Sequence, residues 1–120
     1  MSSACTDALL DYGLIAEIKS VGHVTGRDDL LAGFIRNLED YLADFEADFS
    51  QCLARGDAAA AVRAAHTLKG SCRQLGAYAL GDLFADIERS AKAGNYAAAG
   101  RSLEAGRGLI ARSLQALKQA

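Results

Sequence analysis

Proline and tryptophan are absent from the 120 residues, and aromatic side chains make up only 7% of them. Without proline, no helix in this chain need be broken by one. With few rings, a core must be built from Leu, Ala and other small aliphatic side chains, and the 51% apolar content suffices for it. No run of 18 apolar residues occurs, so no membrane span is expected. An excess of one charge is lacking too. The 13 Lys+Arg and 15 Asp+Glu leave a formal net charge of −2, which gives no case for binding nucleic acid or a membrane surface. Met1-Ser2-Ser3-Ala4-Cys5 has neither a basic start nor an apolar stretch, so it does not read as a secretory signal, and a cytoplasmic location is expected. The three cysteines, Cys5, Cys52 and Cys72, are odd in number and unpaired in spacing. Neither a disulfide framework nor a structural zinc site follows from them. Cys52 and Cys72 fall at apolar-face positions, where a free thiol behaves as a small buried hydrophobe.

What is present forms helices. Ala, Leu, Glu, Arg and Lys fill the periodic segments, and the length suits one domain, expected over residues 1–120 of a free-standing protein. A short first helix is predicted from about Asp7 to Ser20, with Thr6 as its N-cap. Val21-Gly22-His23-Val24-Thr25-Gly26 reads as a loop, with His23 as an ordinary surface histidine. A long helix follows from Arg27 or Asp28 to Arg55. Its stripe is Leu30, Phe34, Leu38, Leu42, Phe45, Phe49 and Leu53, stepping by threes and fours. Phe34, Phe45 and Phe49 are expected in the core. The opposite face carries Glu39, Asp40, Asp44, Glu46 and Asp48 and reads as solvated.

Gly56 and Asp57 end that helix and cap the next. The third helix runs to about Leu75, with Val62, Ala65, Leu68, Cys72 and Leu75 inward, and Gly76 ends it. A fourth covers Tyr78 to Lys92, with Leu80, Leu83, Phe84, Ile87 and Ala91 inward, and Gly94-Asn95 breaks it. The last runs from Tyr96 to near the chain end, with Leu103, Ile110, Leu114 and Leu117 inward. Gly100, Gly106 and Gly108 weaken it by roughly 1 kcal/mol each relative to Ala. Gly106 lies on its inner stripe, where it allows close helix contact. No strand pattern appears. The expected fold is all-α, an antiparallel up-down four-helix bundle with an additional short N-terminal helix.

The third helix carries the chemistry. Leu68 lies about 200° around the helix from His66, since each residue turns about 100°. His66 is therefore placed away from the core stripe, on a face shared with Arg63, Lys69 and Arg73 at −3, +3 and +7. Gly70 sits inside the helix, not at a terminus, and costs roughly 1 kcal/mol against Ala. Its place beside His66 suggests that something must approach the backbone there. Neutral imidazole is a nucleophile near neutral pH, and phosphoryl transfer needs in-line access and cationic help, which Lys69 can supply. Glu88 on the following helix is a candidate acceptor for the second ring nitrogen. Rival chemistries are poorly served. Cys72 lies on the inner stripe, six residues from His66. There is no His-Glu-x-x-His, Glu-x-x-His or Cys-x-x-Cys for a metal, and no Walker-type loop for ATP. A small hydrolase built on His66 lacks a nucleophile–base–orienter set.

Ala65-His66-Thr67-Leu68-Lys69-Gly70-Ser71, followed by Leu75-Gly76-Ala77, Leu80, Leu83 and Ile87-Glu88, resembles the histidine-containing phosphotransfer (HPt) domains of multistep phosphorelays. The resemblance covers roughly Leu30 to Asn95. It implies that His66 is phosphorylated on Nε2. His66 would accept the group from the Asp of a receiver domain in a hybrid sensor histidine kinase and pass it to the Asp of a response regulator. Lys69 would neutralise the phosphoryl group, and Gly70 would let the receiver's loops come close. In several members a Gln or Glu at the position of Glu88 hydrogen-bonds the histidine, and a basic residue often lies near that of Lys92. Arg63, Arg73 and Arg89 are candidate rim charges for docking. The receiver would need Mg²⁺, whereas this side would need no metal or other cofactor and no kinase activity of its own. Chemotaxis kinases share the pattern within long multidomain chains, but no kinase or receiver segment fits in this one. A monomer is expected. The rival reading is a helical interaction module that binds receiver or other signalling domains without being phosphorylated.

Overall fold

The computed structural model describes residues 9–120, so Thr6 and Asp7, expected to cap and start the first helix, lie outside the described residues. Six helices follow: α1 (Tyr12–Val24), α2 (Leu30–Ala54), α3 (Ala58–Gln74), α4 (Tyr78–Lys92), α5 (Tyr96–Ala105) and α6 (Arg107–Gln119). The described residues hold no strand, and their regular structure is all helical.

One device closes four of the five junctions. Gly26, Gly56, Gly76 and Gly94 all have φ between 74° and 79°, a region that costs other residues a Cβ clash. The residue after each glycine donates its N–H back to the preceding helix: Arg27 to Gly22 O at 2.6 Å, Asp57 to Cys52 O at 2.8 Å, Ala77 to Cys72 O and Asn95 to Ser90 O at 2.9 Å. These are the closing bonds of Schellman motifs, which satisfy carbonyls that a helix end leaves orphaned. The restart is polar at three helices. Asp11, Asp57 and Asn95 accept from the backbone N–H of Leu14, Ala60 and Ala98 at 3.1 to 3.2 Å, as N-caps do.

The first helix departs from its predicted bounds. Leu9–Asp11 are not helical, the cap is Asp11, and the helix continues to Val24. His23 therefore stands in the last turn of α1 rather than in a loop. Gly22 does not break the helix. It is buried where a Cβ would come within 2.5 Å of Arg27 O, so it makes room for the returning chain. The second helix starts at Leu30, later than predicted, and its inner stripe is shifted at that end. Leu31 and Ile35 are buried there, whereas Leu30 is half-buried and Phe34 is 41% exposed, against the expectation of a core ring. The two stripes meet at Leu38. From there Leu42, Phe45 and Phe49 are buried. Leu53 is half-buried beside the buried Cys52. The last helix is two helices, interrupted at Gly106. A Cβ on Gly106 would come within 2.5 Å of Leu83 Cδ2, so the missing side chain lets α4 in close.

α3 packs most extensively on α4. α4 also packs on α5, α2 on α3, α1 on α2, and α6 back onto α2. Phe45 stacks on Phe49 at 4.6 Å and meets Phe84 of α4 edge-on at 5.2 Å, geometries that ring quadrupoles favour. Leu38, Leu68, Leu80, Ile87 and Leu117 fill the space around them and are almost fully buried. Val62, Leu83 and Leu114, expected inward, are only half-buried. Among the described residues no helix is long and apolar enough to cross a membrane.

Ser113 of α6 is fully buried, and its Oγ has no hydrogen-bond partner among the described residues. An unmet hydroxyl in the core is a desolvation cost without return. Ser113→Ala is expected to stabilise the fold by about 1 kcal/mol, read as a raised thermal midpoint. A lowered midpoint would mean that the hydroxyl does have a partner.

Candidate functional site

His66 stands mid-way along α3, with its side chain 66% exposed. Its Nδ1 lies 3.0 Å from Glu88 Oε2, across the α3–α4 seam. Glu88 is 7% exposed and meets two further cations: Lys69 Nζ donates to Oε1 at 2.8 Å, and Lys92 Nζ lies 3.5 Å from Oε2. His66 and Lys69 are three apart on α3, and Glu88 and Lys92 are four apart on α4, so each pair shares one helix face.

A buried carboxylate is costly unless paired and hydrogen-bonded. Here the hydrogen bond from Lys69 is the main influence on the Glu88 carboxyl. With a smaller contribution from His66, and against the opposing effect of burial, it holds that carboxyl below the ordinary glutamate value. Glu88 is thus an ionised acceptor at neutral pH. An ionised carboxylate only accepts, so the proton between it and the ring belongs to Nδ1. In the neutral form of the ring, Nε2 then carries the lone pair.

Lys69 is turned inward. It is only 22% exposed and sits in the α3–α4 seam rather than beside His66 on the open face. Gly70 is exposed, and a Cβ there would meet nothing within 4 Å, so no packing among the described residues requires a glycine. Arg63 is exposed one turn before His66. Arg73 and Arg89 are not brought onto Glu88. Arg73 pairs with Asp82 at 3.3 Å, and Arg89 pairs with Asp86 on its own helix. The structure therefore gathers His66, Lys69, Glu88 and Lys92 into one cluster and leaves the three arginines around it.

Two features escaped sequence reasoning. Gly81 of α4 is buried where a Cβ would lie 2.9 Å from Arg73 Cγ and 3.5 Å from Lys69 O. It forms the notch in which the Arg73 stem crosses α4. The signal was available, since Gly81 is an interior helix glycine flanked by the inward Leu80 and Phe84. The second is a groove of about 320 Å³ between α1, α2 and α3, lined by Ile18, Phe34, Leu38, Tyr41, Ser71 and Leu75 among others. Phe34 and Tyr41, 41% and 50% exposed, stand on its wall. Ser71, directly after Gly70, also lines it, from α3. Cys72 takes no part, because burial pushes its thiol up to about 12 and keeps it protonated. Among the described residues no group of three or more His, Cys, Asp or Glu could hold a metal ion.

A protein-family model described as Hpt domain matches residues 29–120. No match was found among curated proteins or among solved structures.

The Glu88 pairing has a pH signature. A carboxyl whose folded value is depressed adds stability above its unfolded value, and that stability is lost as pH falls through the folded value. The stability difference between the wild type and Glu88→Gln is expected to shrink as pH falls below the ordinary glutamate range. Thermal midpoints measured across that range check this. A difference that grew as pH fell below that range would contradict an ionised Glu88.

Proposed function

The chain belongs to the Hpt domain family, and on that premise we propose that His66 accepts a phosphoryl group from a receiver-domain aspartate and passes it to the aspartate of a response regulator. Hpt domains take part in phosphorelay signalling as phosphotransfer carriers, not as kinases. The observation that carries the proposal is the exposed ring of His66 with its Nδ1 on an ionised, buried carboxylate.

The chemistry follows from that arrangement. Nε2 attacks the phosphorus of the aspartyl phosphate, the P–O bond to the aspartate breaks, and the carboxylate leaves with the electron pair. The ring becomes a phosphoimidazolium whose positive charge is stabilised by Glu88 across Nδ1–H. In the onward step a carboxylate oxygen of the response regulator's aspartate attacks the phosphorus, the P–Nε2 bond breaks, and a neutral imidazole leaves with Nδ1 still protonated. Positioning and charge carry such a step, since there is little other covalent work for a protein to do. The first donor would be the receiver domain of a hybrid sensor histidine kinase. Mg²⁺ would belong to the receivers' acidic pockets, with no cofactor on this side.

Gly70 offers bare backbone one turn from the ring, and the groove walled by Phe34 and Tyr41 offers apolar surface that reaches Ser71, the residue after Gly70. Arg63, Arg73, Arg89 and Lys92 would meet acidic groups of the docked receiver and steer its encounter. The same reading takes α2, α3, α4 and the interrupted α5–α6 as the four members of an up-down bundle, with α1 as the added short helix. It takes residues 1–120 as one domain, acting as a cytoplasmic monomer.

The deciding experiment loads receiver domains with acetyl phosphate and follows transfer to the wild type and to His66→Gln. Acid-labile, alkali-stable label on the wild type alone is expected. Receiver binding without label, across a broad panel, would replace the carrier with a non-catalytic interaction module. Gly70→Ala separates docking from folding. It is expected to stabilise the isolated chain by up to about 1 kcal/mol while slowing transfer from a receiver. Unslowed transfer would show that no close approach occurs at Gly70.

A further inference from the structure

Glu88 has more polar partners than oxygens to share among them. Oε1 is taken by Lys69, and Oε2 serves both His66 and Lys92. The two lysines are held differently. Lys69 is mostly buried against the carboxylate at 2.8 Å, whereas Lys92 is 65% exposed and stands off at 3.5 Å. In the resting chain, then, the lysine three residues from His66 is already committed to another anion.

A phosphoryl group on Nε2 brings two further negative charges to the exposed edge of the ring. Lys69, one turn away on the same helix, is a cation within reach of it. Its departure would strip Oε1 of its partner and leave a buried carboxylate under-compensated, which is strongly unfavourable. Lys92 is already at that carboxylate, one turn along α4, on a flexible stem. Resting on the carrier reading above, we infer that Lys92 is a counter-ion reserve: it takes over Glu88 when Lys69 turns to the phosphoryl group on His66. Lys92 is thus a positioning residue that acts through Glu88, and phosphorylation exchanges one ion pair for another instead of leaving a buried charge unpaired.

The inference makes Lys92 matter only while position 88 carries a charge, and a double-mutant cycle reads this directly. Phosphoramidate serves as the donor, so no receiver is needed. Nε2 attacks its phosphorus, the P–N bond breaks, ammonia leaves, and Nδ1 keeps its proton throughout. Labelling rates are compared for wild type, Lys92→Met, Glu88→Gln and the double variant, with thermal melting to confirm that each is folded. Lys92→Met is expected to slow labelling about fivefold beside Glu88 and less than about twofold in the Glu88→Gln background. In the wild type the Lys69 Nζ resonance is expected to shift on phosphorylation, and in Lys92→Met to stay near its resting position. Equal slowing in both backgrounds would show that Lys92 acts on the phosphoryl group itself and would overturn the inference. No slowing in either background would overturn it as well. A wild type that phosphoramidate labels but receivers do not would count against the relay reading alone and leave the exchange standing. A wild type that neither labels would remove both.

Discussion

A carboxylate buried between two helices has to be kept ionised by donors on both of them, and this requirement sets how α3 and α4 meet. Glu88 can stay charged at 7% exposure only if Lys69 and His66 of α3 reach it while Lys92 covers it from its own helix. Neither side can slip by a turn without leaving an anion unpaired in the seam. The Gly76 turn fixes the same register from one end, with Asp11 N donating to Gly76 O at 2.7 Å to tie the start of α1 to it. The Gly81 notch fixes it further along, where the Arg73 stem crosses α4. The pair of helices in most extensive contact is therefore also the pair that positions the imidazole.

Much of this architecture was legible because the helix boundaries are written in local chemistry. Gly56-Asp57 and Gly94-Asn95 combine a left-handed stop with a capping side chain, and both stand where the pattern placed them. The misreadings fell where two physical demands use the same residue. Gly22 looks like a loop residue, but it answers a close approach by the Arg27 carbonyl and lies within α1. At the start of α2, two apolar stripes are available and fork at Leu38. Spacing alone cannot say which one faces the core, and burial chose Leu31 and Ile35 over Leu30 and Phe34. Gly106 was legible as a contact point but not as an interruption, because the break lies between segments of continuous helical pattern.

The candidate site divides along the same line. The spacing of His66, Lys69 and Gly70 is a property of one helix, and periodicity alone puts the ring outward. What periodicity does not carry is the third dimension. Lys69 lies about 60° further round α3 than His66, on the side that α4 covers, and only the packed pair reveals that it turns to Glu88 rather than to the open face. The partner of Arg73 was hidden for the same reason, since no local rule selects Asp82 across the seam, whereas Asp86 lies three residues from Arg89 on the same helix.

The glycines show why chemical context, and not openness, must carry a functional argument. Gly81 and Gly106 are explained inside the chain, because a Cβ at either would strike a neighbouring side chain. Gly70 has no such explanation, but neither have Gly33 or Gly100, which are also helical and also have nothing within 4 Å of an added Cβ. A propensity cost of roughly 1 kcal/mol is therefore tolerated elsewhere in this fold without return. What distinguishes Gly70 is its neighbourhood: one turn from an exposed imidazole held on an ionised carboxylate, and next to the groove where two aromatic rings remain uncovered. Bare backbone, a nucleophilic nitrogen and unburied apolar surface have separate costs in an isolated chain. On the carrier reading proposed above, all three would be offset together when a docked receiver covers this face.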